Sequence, residues 1–358
     1  MLAKRILKRL LPADYRRTIR QLLVSQNVRH RNGPKRLRLA PNEAIVTCVV
    51  KNGEFYIESF IRHYLQMGFR HIFFLDNGST DQTTAIAQQH PNVSICSSNL
   101  PIDAHQGPFK KYLAKTSAVG GWCLDADIDE FFDYPSSDQI PLHKFLEYLN
   151  QQRSTAVITQ LLDMFSDKPM SQLSALPERD LRGVYQYYDL SEVARTKYRE
   201  ASIVASFGAD NEVTNDQTAL YFGGIRKTLY GNNCLLTKHS LFVPREVDPF
   251  THVHFVNHAR LADISCVMLH YKLTGSALEV AMQNKEGFVG NSRGYSDFIN
   301  FLINHRNGHT MSDTAIRLQN VNDLLDSGFL FTSESYQRYS RCGNERLTSE
   351  SGCLPSLP

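Results

Sequence analysis

A short, unbroken apolar run over Ala44–Val50 is the feature that most constrains the fold of this chain. The run reads AIVTCVV and is rich in β-branched residues. A run without polar alternation is typical of a parallel strand that is covered on both faces. Apolar residues at helical spacing follow from Phe55 to Leu65, and Gly68 is a stop signal for that helix. We therefore expect a layered α/β fold to begin here.

The alternation of strand and helix continues to about residue 162. Further strands are predicted at 71–76, 93–96, 122–126 and near 155–162, and helices at 79–89, 108–118 and near 141–152. This order favours an open, mostly parallel sheet with helices on both faces, in a single main α/β domain. We predict that domain over residues 41–320, between a basic amphipathic arm at 1–40 and a poorly ordered tail at 321–358.

Charge is unevenly distributed along the chain. Residues 1–40 contain 12 Lys or Arg and one acid, Asp14, whereas the remainder contains 27 basic and 35 acidic residues. Leu2, Ile6, Leu10 and Leu11 lie among the positive charges of this arm, as in an interfacial helix. The arm is expected either to contact an anionic membrane surface or to be a solvated leader. It has no nucleic-acid-binding motif, so nucleic acid is not an expected partner.

Cysteine usage and hydropathy predict the compartment. The seven cysteines are scattered and never spaced as C-x-x-C, which argues against a disulfide framework and a zinc knuckle. No run of about 18 apolar residues occurs, and the N-terminus lacks the apolar region and cleavage site of a secretory signal. We expect a cytoplasmic protein, with the cytoplasmic face of the membrane as the alternative location.

Polar, mostly acidic loops follow three of the predicted strands: KNGE at 51–54, DNGSTD at 76–81 and DADIDE at 125–130. In an open α/β sheet the carboxyl ends of the strands form the ligand-binding edge. Carboxylates that lie close together repel unless a cation or a hydrogen-bonding ligand lies between them, and hard oxygen ligands select Mg²⁺ or Mn²⁺. A divalent ion that bridges diphosphate oxygens is therefore the expected ligand.

These segments resemble a known family. VKNGEFYIESFIRHYLQMGFRHIFFLDNGSTDQT and WCLDADIDEFF are similar to the GT-A fold glycosyltransferases related to family 2, in the branch with D-N-x-S-x-D and D-x-D-E-F motifs. The resemblance continues through LLDMFSDKP, GGIRKTLYG and LADISCVMLHYK, and so covers about residues 43–300. It implies a Rossmann-like GT-A sheet and a nucleotide-sugar donor across the strand ends. One departure is Gly53, which separates Asn52 from Glu54 where relatives commonly have Glu directly after Asn.

The resemblance also implies roles for individual residues. Asp76 would contact the nucleoside, and Asn52 and Glu54 would line the same pocket. Metal ligands would come from the overlapping D-x-D pairs, in which Asp127 is common to both and Asp129 is favoured over Asp125 as its partner. The full set of expected donor-binding residues is Asn52, Glu54, Asp76, Asn77, Asp125, Arg226 and Lys272.

Histidines and late carboxylates complete the predicted site. His270 follows the apolar run SCVML and resembles the late metal or diphosphate ligand of the family, with His252 as the second candidate. Arg226 and Lys272 could offset leaving-group charge, and structural roles fit them equally well. Transfer to a hydroxyl needs a general base, for which Asp163 and Asp167 are candidates and Asp189 is a third.

The favoured function is a metal-dependent transfer of a sugar from a nucleotide-sugar donor to a glycan or lipid-linked acceptor, with inversion, in cell-surface polysaccharide or glycoconjugate synthesis. The cofactor would be Mn²⁺ or Mg²⁺. Alternatives are a Mg²⁺-dependent nucleotidyltransferase or D-x-D phosphatase, and a non-catalytic membrane-surface glycan-binding protein. A nucleotidyltransferase is expected to have a glycine-rich loop after the first strand, and a D-x-D phosphatase is expected to have its D-x-D there. Neither motif is present at that position. Repulsion within an acidic edge that binds no ion disfavours the third.

Overall fold

The computed structural model describes residues 13–173, 180–279, 293–305, 308 and 310–341. The strands in that part are β1 (Arg29–Asn32), β2 (Leu37–Arg38), β3 (Ala44–Val50), β4 (Ile72–Asp76), β5 (Val93–Ser97), β6 (Ala118–Val119), β7 (Trp122–Asp125), β8 (Glu130–Asp133), β9 (Ala156–Asp163), β10 (Tyr187–Tyr188), β11 (Val193–Lys197), β12 (Ala219–Gly223), β13 (Thr237–Phe242), β14 (Asp248–His252), β15 (Phe255–Asn257), β16 (Leu261–His270) and β17 (Ile316–Arg317).

The helices of the described part lie between these strands and flank them. They are α1 (Ala13–Asn27), α2 (Glu54–Met67), α3 (Thr83–Ala87), α4 (Ile102–Thr116), α5 (Leu142–Gln151), α6 (Met170–Leu173), α7 (Leu181–Val184), α8 (Ser202–Phe207), α9 (Ile225–Tyr230), α10 (Arg293–Asn304) and α11 (Asp323–Asp326), with a 3₁₀ turn at Tyr198–Glu200 and a helical segment at 334–341. None of these helices has the length and apolar character needed to cross a membrane.

Nine strands form one open sheet in the order β1-β5-β4-β3-β7-β13-β9-β16-β8. Strands β5, β4, β3 and β7 are parallel neighbours, and β9 and β16 run in the same direction on the far side of β13. Strands β1, β13 and β8 run the opposite way. The predicted open, mostly parallel α/β sheet is therefore confirmed.

Strand β3 shows why both faces of the sheet are covered. Val46 and Cys48 point into an apolar cluster that also contains residues of α2 and α5. Ile45 and Val49 point to the other face, into a cluster that contains residues of α1, α4 and α8. Because successive side chains of a strand alternate between faces, an all-apolar strand needs helices on both sides. The helices lie on both faces, as predicted.

Helix α4 begins earlier than the sequence suggested. The sequence predicts this helix over 108–118, and proline lacks the N–H that an interior helical position donates. The helix instead begins at Ile102 and contains Pro108 in its interior. Ile102, His105 and Phe109 form a continuous buried stripe that packs the first turns onto the domain. Tertiary packing thus outweighs the local signal.

Both predicted terminal boundaries differ from the structure. Strand β1 is paired with β5 at the edge of the main sheet, and Val24 of α1 is fully buried. Leu324 and Tyr336 are also buried in the main core, so 321–341 is not a tail. Residues 1–12 and 342–358 lie outside the described residues.

Candidate functional site

The carboxyl ends of the parallel strands bring the predicted loops to one edge of the sheet. Strands β4 and β5 extend the sheet on one side of β3, and β7 lies on its other side, so the strand order reverses between β3 and β7. Such a reversal is where open α/β sheets bind ligands. Asp163 and His270 end β9 and β16 and are paired in register. We call the carboxylates that lie there the acidic edge: Asp125, Asp127, Asp129, Glu130 and Asp163.

The first loop is tied to the second. Asn52 has a φ of 52°, a left-handed conformation that asparagine tolerates. Its Oδ1 accepts a hydrogen bond from the Thr80 N–H at 2.8 Å, and its own N–H donates to Ser79 Oγ at 2.9 Å. The carboxylate of Glu54 accepts from the Gln82 N–H at 2.9 Å. The side chains of Asn52 and Glu54 therefore hold the two loops together.

Asp76 and Asn77 shape the second loop itself. The carboxylate of Asp76 accepts from the N–H groups of Gly78 and Ser79 at 3.2 and 3.0 Å. Asn77 Nδ2 donates to the carbonyl oxygens of Ser98 and Leu100 at 2.7 and 2.9 Å. Both side chains are largely buried. The loop is thus built before any ligand arrives.

Two buried lysines form ion pairs with three carboxylates of the acidic edge. Lys110 Nζ lies 2.7 Å from Asp125 Oδ2 and 2.8 Å from Asp127 Oδ1. Lys238 Nζ lies 2.9 Å from Asp127 Oδ2 and 2.5 Å from Glu130 Oε1. Both oxygens of Asp127 are therefore ion-paired. We call these five residues the lysine cluster.

Within the lysine cluster, neighbouring lysines and carboxylates stabilise one another's charged forms. Burial alone would raise the pKa of Asp127, but the two ammonium groups hold that pKa well below its usual value. Burial would lower the pKa of Lys110, and the neighbouring carboxylates instead raise it. Burial raises the pKa of Asp125 to about 6, and its Oδ1 has no hydrogen-bond partner among the described residues. Asp125 is the least satisfied acid of the three.

The other two carboxylates of the acidic edge, Asp129 and Asp163, both contact a histidine. Arg226 donates to both oxygens of Asp163 through Nε and Nη2, each at 2.7 Å. His270 Nδ1 lies 2.5 Å from Asp163 Oδ1, and His270 Nε2 lies 3.2 Å from Asp129 Oδ2. Nδ1 also lies 2.7 Å from Arg226 Nη2, so it either donates to the Asp163 carboxylate or accepts from the guanidinium. We call these four residues the histidine cluster.

This geometry leaves His270 Nε2 facing a carboxylate. Burial alone would raise the pKa of Asp163, but Arg226 and His270 hold it well below its usual value. Against the effect of burial, His270 likewise lowers the pKa of Asp129 to about 2, and Asp129 raises the pKa of His270. A lone pair on Nε2 would repel the Asp129 oxygen, so a proton or another cation must lie between them.

Asp129 and His270 fit a divalent metal better than the predicted D-x-D pair does. No group of three or more His, Cys, Asp or Glu in the described ranges is arranged to hold a metal ion. Mg²⁺, however, is commonly bound through one or two protein carboxylates, with waters and substrate phosphates filling its other positions. Asp163 holds the far ring nitrogen of His270, as in carboxylate–histidine–metal sites. Asp127 fits such a site less well because two lysines occupy its oxygens.

The remaining predicted residues have other surroundings. Lys272 Nζ lies 5.1 Å from the ring centre of Phe298. Asp167 is exposed and lies 3.5 Å from the Tyr187 hydroxyl. Asp189 is buried and accepts hydrogen bonds from Ser191, Ser312 and Thr314. His252 Nδ1 accepts from the His254 N–H within its own hairpin, at 3.2 Å.

Sequence reasoning missed Lys110 and Lys238 and gave Glu130 no role. Lys110 lies on the buried face of α4, beside Phe109 and near Leu113. Lys238 is the second residue of β13, in which every residue is buried. Lysine is almost never fully buried unless it is paired with an acid. For Lys110 the available signal was a lysine on a mainly apolar helix face, whereas β13 reads TKHSLF and offered no such signal for Lys238.

Comparisons with known proteins were made against families, curated proteins and solved structures. No protein-family model matches the chain, and no curated protein matches it. The chain is similar to HddC from Yersinia pseudotuberculosis, with 10% identity and a TM-score of 0.24, over 35% of this chain and 60% of that one. It is also similar to glucosyl-3-phosphoglycerate synthase from Mycobacterium tuberculosis, solved with Mn²⁺, uridine diphosphate and glucosyl-3-phosphoglycerate, with 21% identity and a TM-score of 0.22, over 39% of this chain and 49% of that one. At these TM-scores neither likeness bears on function.

Proposed function

We propose that this protein is a glycosyltransferase that binds a nucleotide-sugar donor at the acidic edge. It would transfer the sugar, with inversion, to a glycan or lipid-linked acceptor in cell-surface polysaccharide or glycoconjugate synthesis. The observation that carries the proposal is His270, whose Nδ1 is held by Asp163 while its Nε2 faces Asp129 across 3.2 Å. This pair lies at the strand-end edge that includes the D-N-G-S-T-D and D-I-D-E-F motifs.

The histidine cluster would act on the diphosphate of the donor. A bound Mn²⁺ or Mg²⁺ would neutralise negative charge on the leaving diphosphate. Asp129 and His270 would hold that ion, and Asp163 with Arg226 would keep the imidazole in one orientation. Lys110 and Lys238 would fix Asp127 beside them.

The two tied loops would receive the nucleoside. Asn52, Glu54, Asp76 and Asn77 already fix the backbone of both loops, so the donor would meet a surface formed in advance. Such preorganisation reduces the entropy lost when a ligand binds. Lys272 is the remaining cation that we assign to the donor side.

Asp167 is the carboxylate that best suits the role of general base. Asp163 is paired with Arg226 and His270, which hold its pKa low and occupy both of its oxygens. Asp189 is satisfied by hydroxyl and backbone donors that lower its pKa, although burial alone would raise it. Asp167 follows β9 and is exposed. We expect Asp167→Asn to lower kcat about 10²- to 10⁴-fold and to leave Mn²⁺ affinity unchanged.

The direct test is turnover of a panel of nucleotide sugars with Mn²⁺ or Mg²⁺, with calorimetry of the matching nucleoside diphosphates. We expect hydrolysis or transfer with at least one donor, and loss of both turnover and metal-dependent nucleotide binding in Asp129→Asn. Absence of nucleotide binding together with absence of turnover for every donor would contradict the proposal. Pyrophosphate release from a nucleoside triphosphate and a sugar phosphate would instead identify a nucleotidyltransferase, and phosphate release from a monoester would identify a phosphatase.

A further inference from the structure

Helix α1 is anchored to the domain by one face. Val24 is fully buried in the core beneath it. Gln21 Nε2 donates to the Pro108 carbonyl at 3.3 Å, and Arg17 Nη2 donates to the Phe250 carbonyl at 2.9 Å. These contacts fix which side of the helix faces away from the protein.

The outward side of α1 is apolar. Tyr15, Ile19 and Leu22 are 65%, 41% and 56% exposed, respectively. Residues spaced by three or four positions lie on the same side of a helix, so the three side chains form one stripe. We call it the α1 stripe. In the described part of the chain the other large hydrophobic side chains that are more than a third exposed are Ile303, Met311 and Ile316, which lie well away in sequence.

Positive charge borders the α1 stripe. Arg16 and Arg20 are both exposed on the same helix. Residues 1–40 contain 12 Lys or Arg and a single acid, whereas the remainder of the chain has an excess of acids. A surface that accepts this helix must therefore take apolar side chains and offer negative charge at the same time.

We infer that the α1 stripe lies on an anionic lipid surface. The interface of a bilayer takes up aromatic and aliphatic side chains at the boundary between headgroups and acyl chains, while its phosphates attract flanking arginines. A second copy of this chain fits less well, because two stripes facing each other would bring the arginines of both copies together and like charges repel. The inference does not depend on the chemistry at the acidic edge.

The test is flotation of the full-length protein with vesicles of phosphatidylcholine, with and without phosphatidylglycerol. The test variant is Tyr15→Ser/Ile19→Ser/Leu22→Ser, and the matched control is Ile303→Ser/Met311→Ser/Ile316→Ser. We expect the wild type and the control to bind vesicles that contain phosphatidylglycerol, and the test variant to bind at least about tenfold more weakly. Far-ultraviolet circular dichroism verifies that all three proteins are folded.

A charge variant separates the two parts of the interaction. Arg16→Gln/Arg20→Gln keeps the apolar stripe, and we expect it to bind anionic vesicles more weakly than the wild type and with less dependence on salt. Equal vesicle binding by the test variant and the control would overturn the inference, as would a wild type that does not bind. A dimer in sedimentation velocity that only the α1 substitutions dissolve would also overturn it and would assign the stripe to self-association.

Discussion

The two clusters of the acidic edge hold their negative charge in different ways. In the lysine cluster, Asp125, Asp127 and Glu130 share two ammonium groups, and both lysines are buried. In the histidine cluster, Asp163 has a guanidinium partner, whereas Asp129 faces an imidazole nitrogen, where we propose that a divalent ion can replace the proton. The buried lysine ammonium groups keep neighbouring carboxylates from repelling one another. A position whose cation can be replaced would instead be able to bind a ligand. The same acidic edge can therefore combine a rigid support with a binding position.

The largest effect is expected from Lys238→Met. Removal of the ammonium group leaves Glu130, which is 1% exposed, and one oxygen of Asp127 without their cation. Breaking a buried ion pair from one side costs about 3–5 kcal/mol. We expect a loss of that size in the free energy of unfolding, measured by urea denaturation followed by circular dichroism.

Lys227→Met is the matched control for that variant. Lys227 pairs with Glu192 at 2.6 Å, but both side chains are more than 40% exposed. Exposed pairs contribute less than about 1 kcal/mol, so this variant should unfold near the wild type. If Lys238→Met does not fold, Lys238→Met/Glu130→Gln should recover part of the stability. Equal losses in the two single variants would mean that the lysine cluster does not support the fold.

An intermediate effect is expected for Mn²⁺ affinity in the histidine cluster. Asp129→Asn removes the proposed anionic ligand and should lower the affinity by more than about 100-fold. Asp163→Asn loosens His270 and also removes the carboxylate that Arg226 binds, and it should lower the affinity by about 10- to 100-fold. Asp125→Asn should leave it nearly unchanged, because Asp125 is held by Lys110. Isothermal titration with Mn²⁺ measures all three.

The comparison of Asp125→Asn with Asp129→Asn decides which cluster binds the ion. Urea unfolding of each variant verifies that its fold is intact. Equal loss of affinity in both would mean that the distinction between the two clusters does not apply to metal binding. A loss only in Asp125→Asn would move the ion to the lysine cluster.

The smallest effect is expected from Arg226→Lys. The substitution keeps the positive charge but loses the two parallel hydrogen bonds that Arg226 donates to Asp163. We expect a loss of about 1.5 kcal/mol in unfolding free energy, the low end of the range for a hydrogen bond to a charged group, because lysine keeps the charge and can donate one of the two hydrogen bonds. Arg195→Lys is the control, because Arg195 donates to the Gln217 carbonyl at an exposed position. An equal loss of unfolding free energy in Arg195→Lys would show that the two hydrogen bonds from Arg226 to Asp163 contribute no more to stability than an exposed hydrogen bond does.

The strands and the acidic loops could be predicted because their signals are local. The run at Ala44–Val50 became β3 with the predicted bounds, and Asp163 and His270 were both expected at strand ends. Period and composition are sufficient for such features, since each depends on fewer than about ten neighbouring residues.

The partners of the carboxylates could not be predicted because they are distant in sequence. Lys238 meets Asp127 across 111 positions, and Arg226 meets Asp163 across 63. Which of these charged residues form ion pairs depends on the order of the strands in the sheet. The local sequence around each residue does not specify that order. The contacts of Asp163 with Arg226 and His270, from which we propose that it orients the imidazole, became visible only in the structure.

The place of β13 in the sheet has a consequence for the order of folding. This strand follows β9 by more than 70 residues in the chain but lies between β7 and β9, antiparallel to both. Until it arrives, Asp127 and Glu130 lack Lys238, and the carboxylates there repel one another. Pairings between distant segments also form slowly, because the intervening chain must first be closed into a loop. We therefore expect the pairing of β13 with β7 and β9 to be a late step of folding. Before that step, the carboxylates of the acidic edge would repel one another in the partly folded chain.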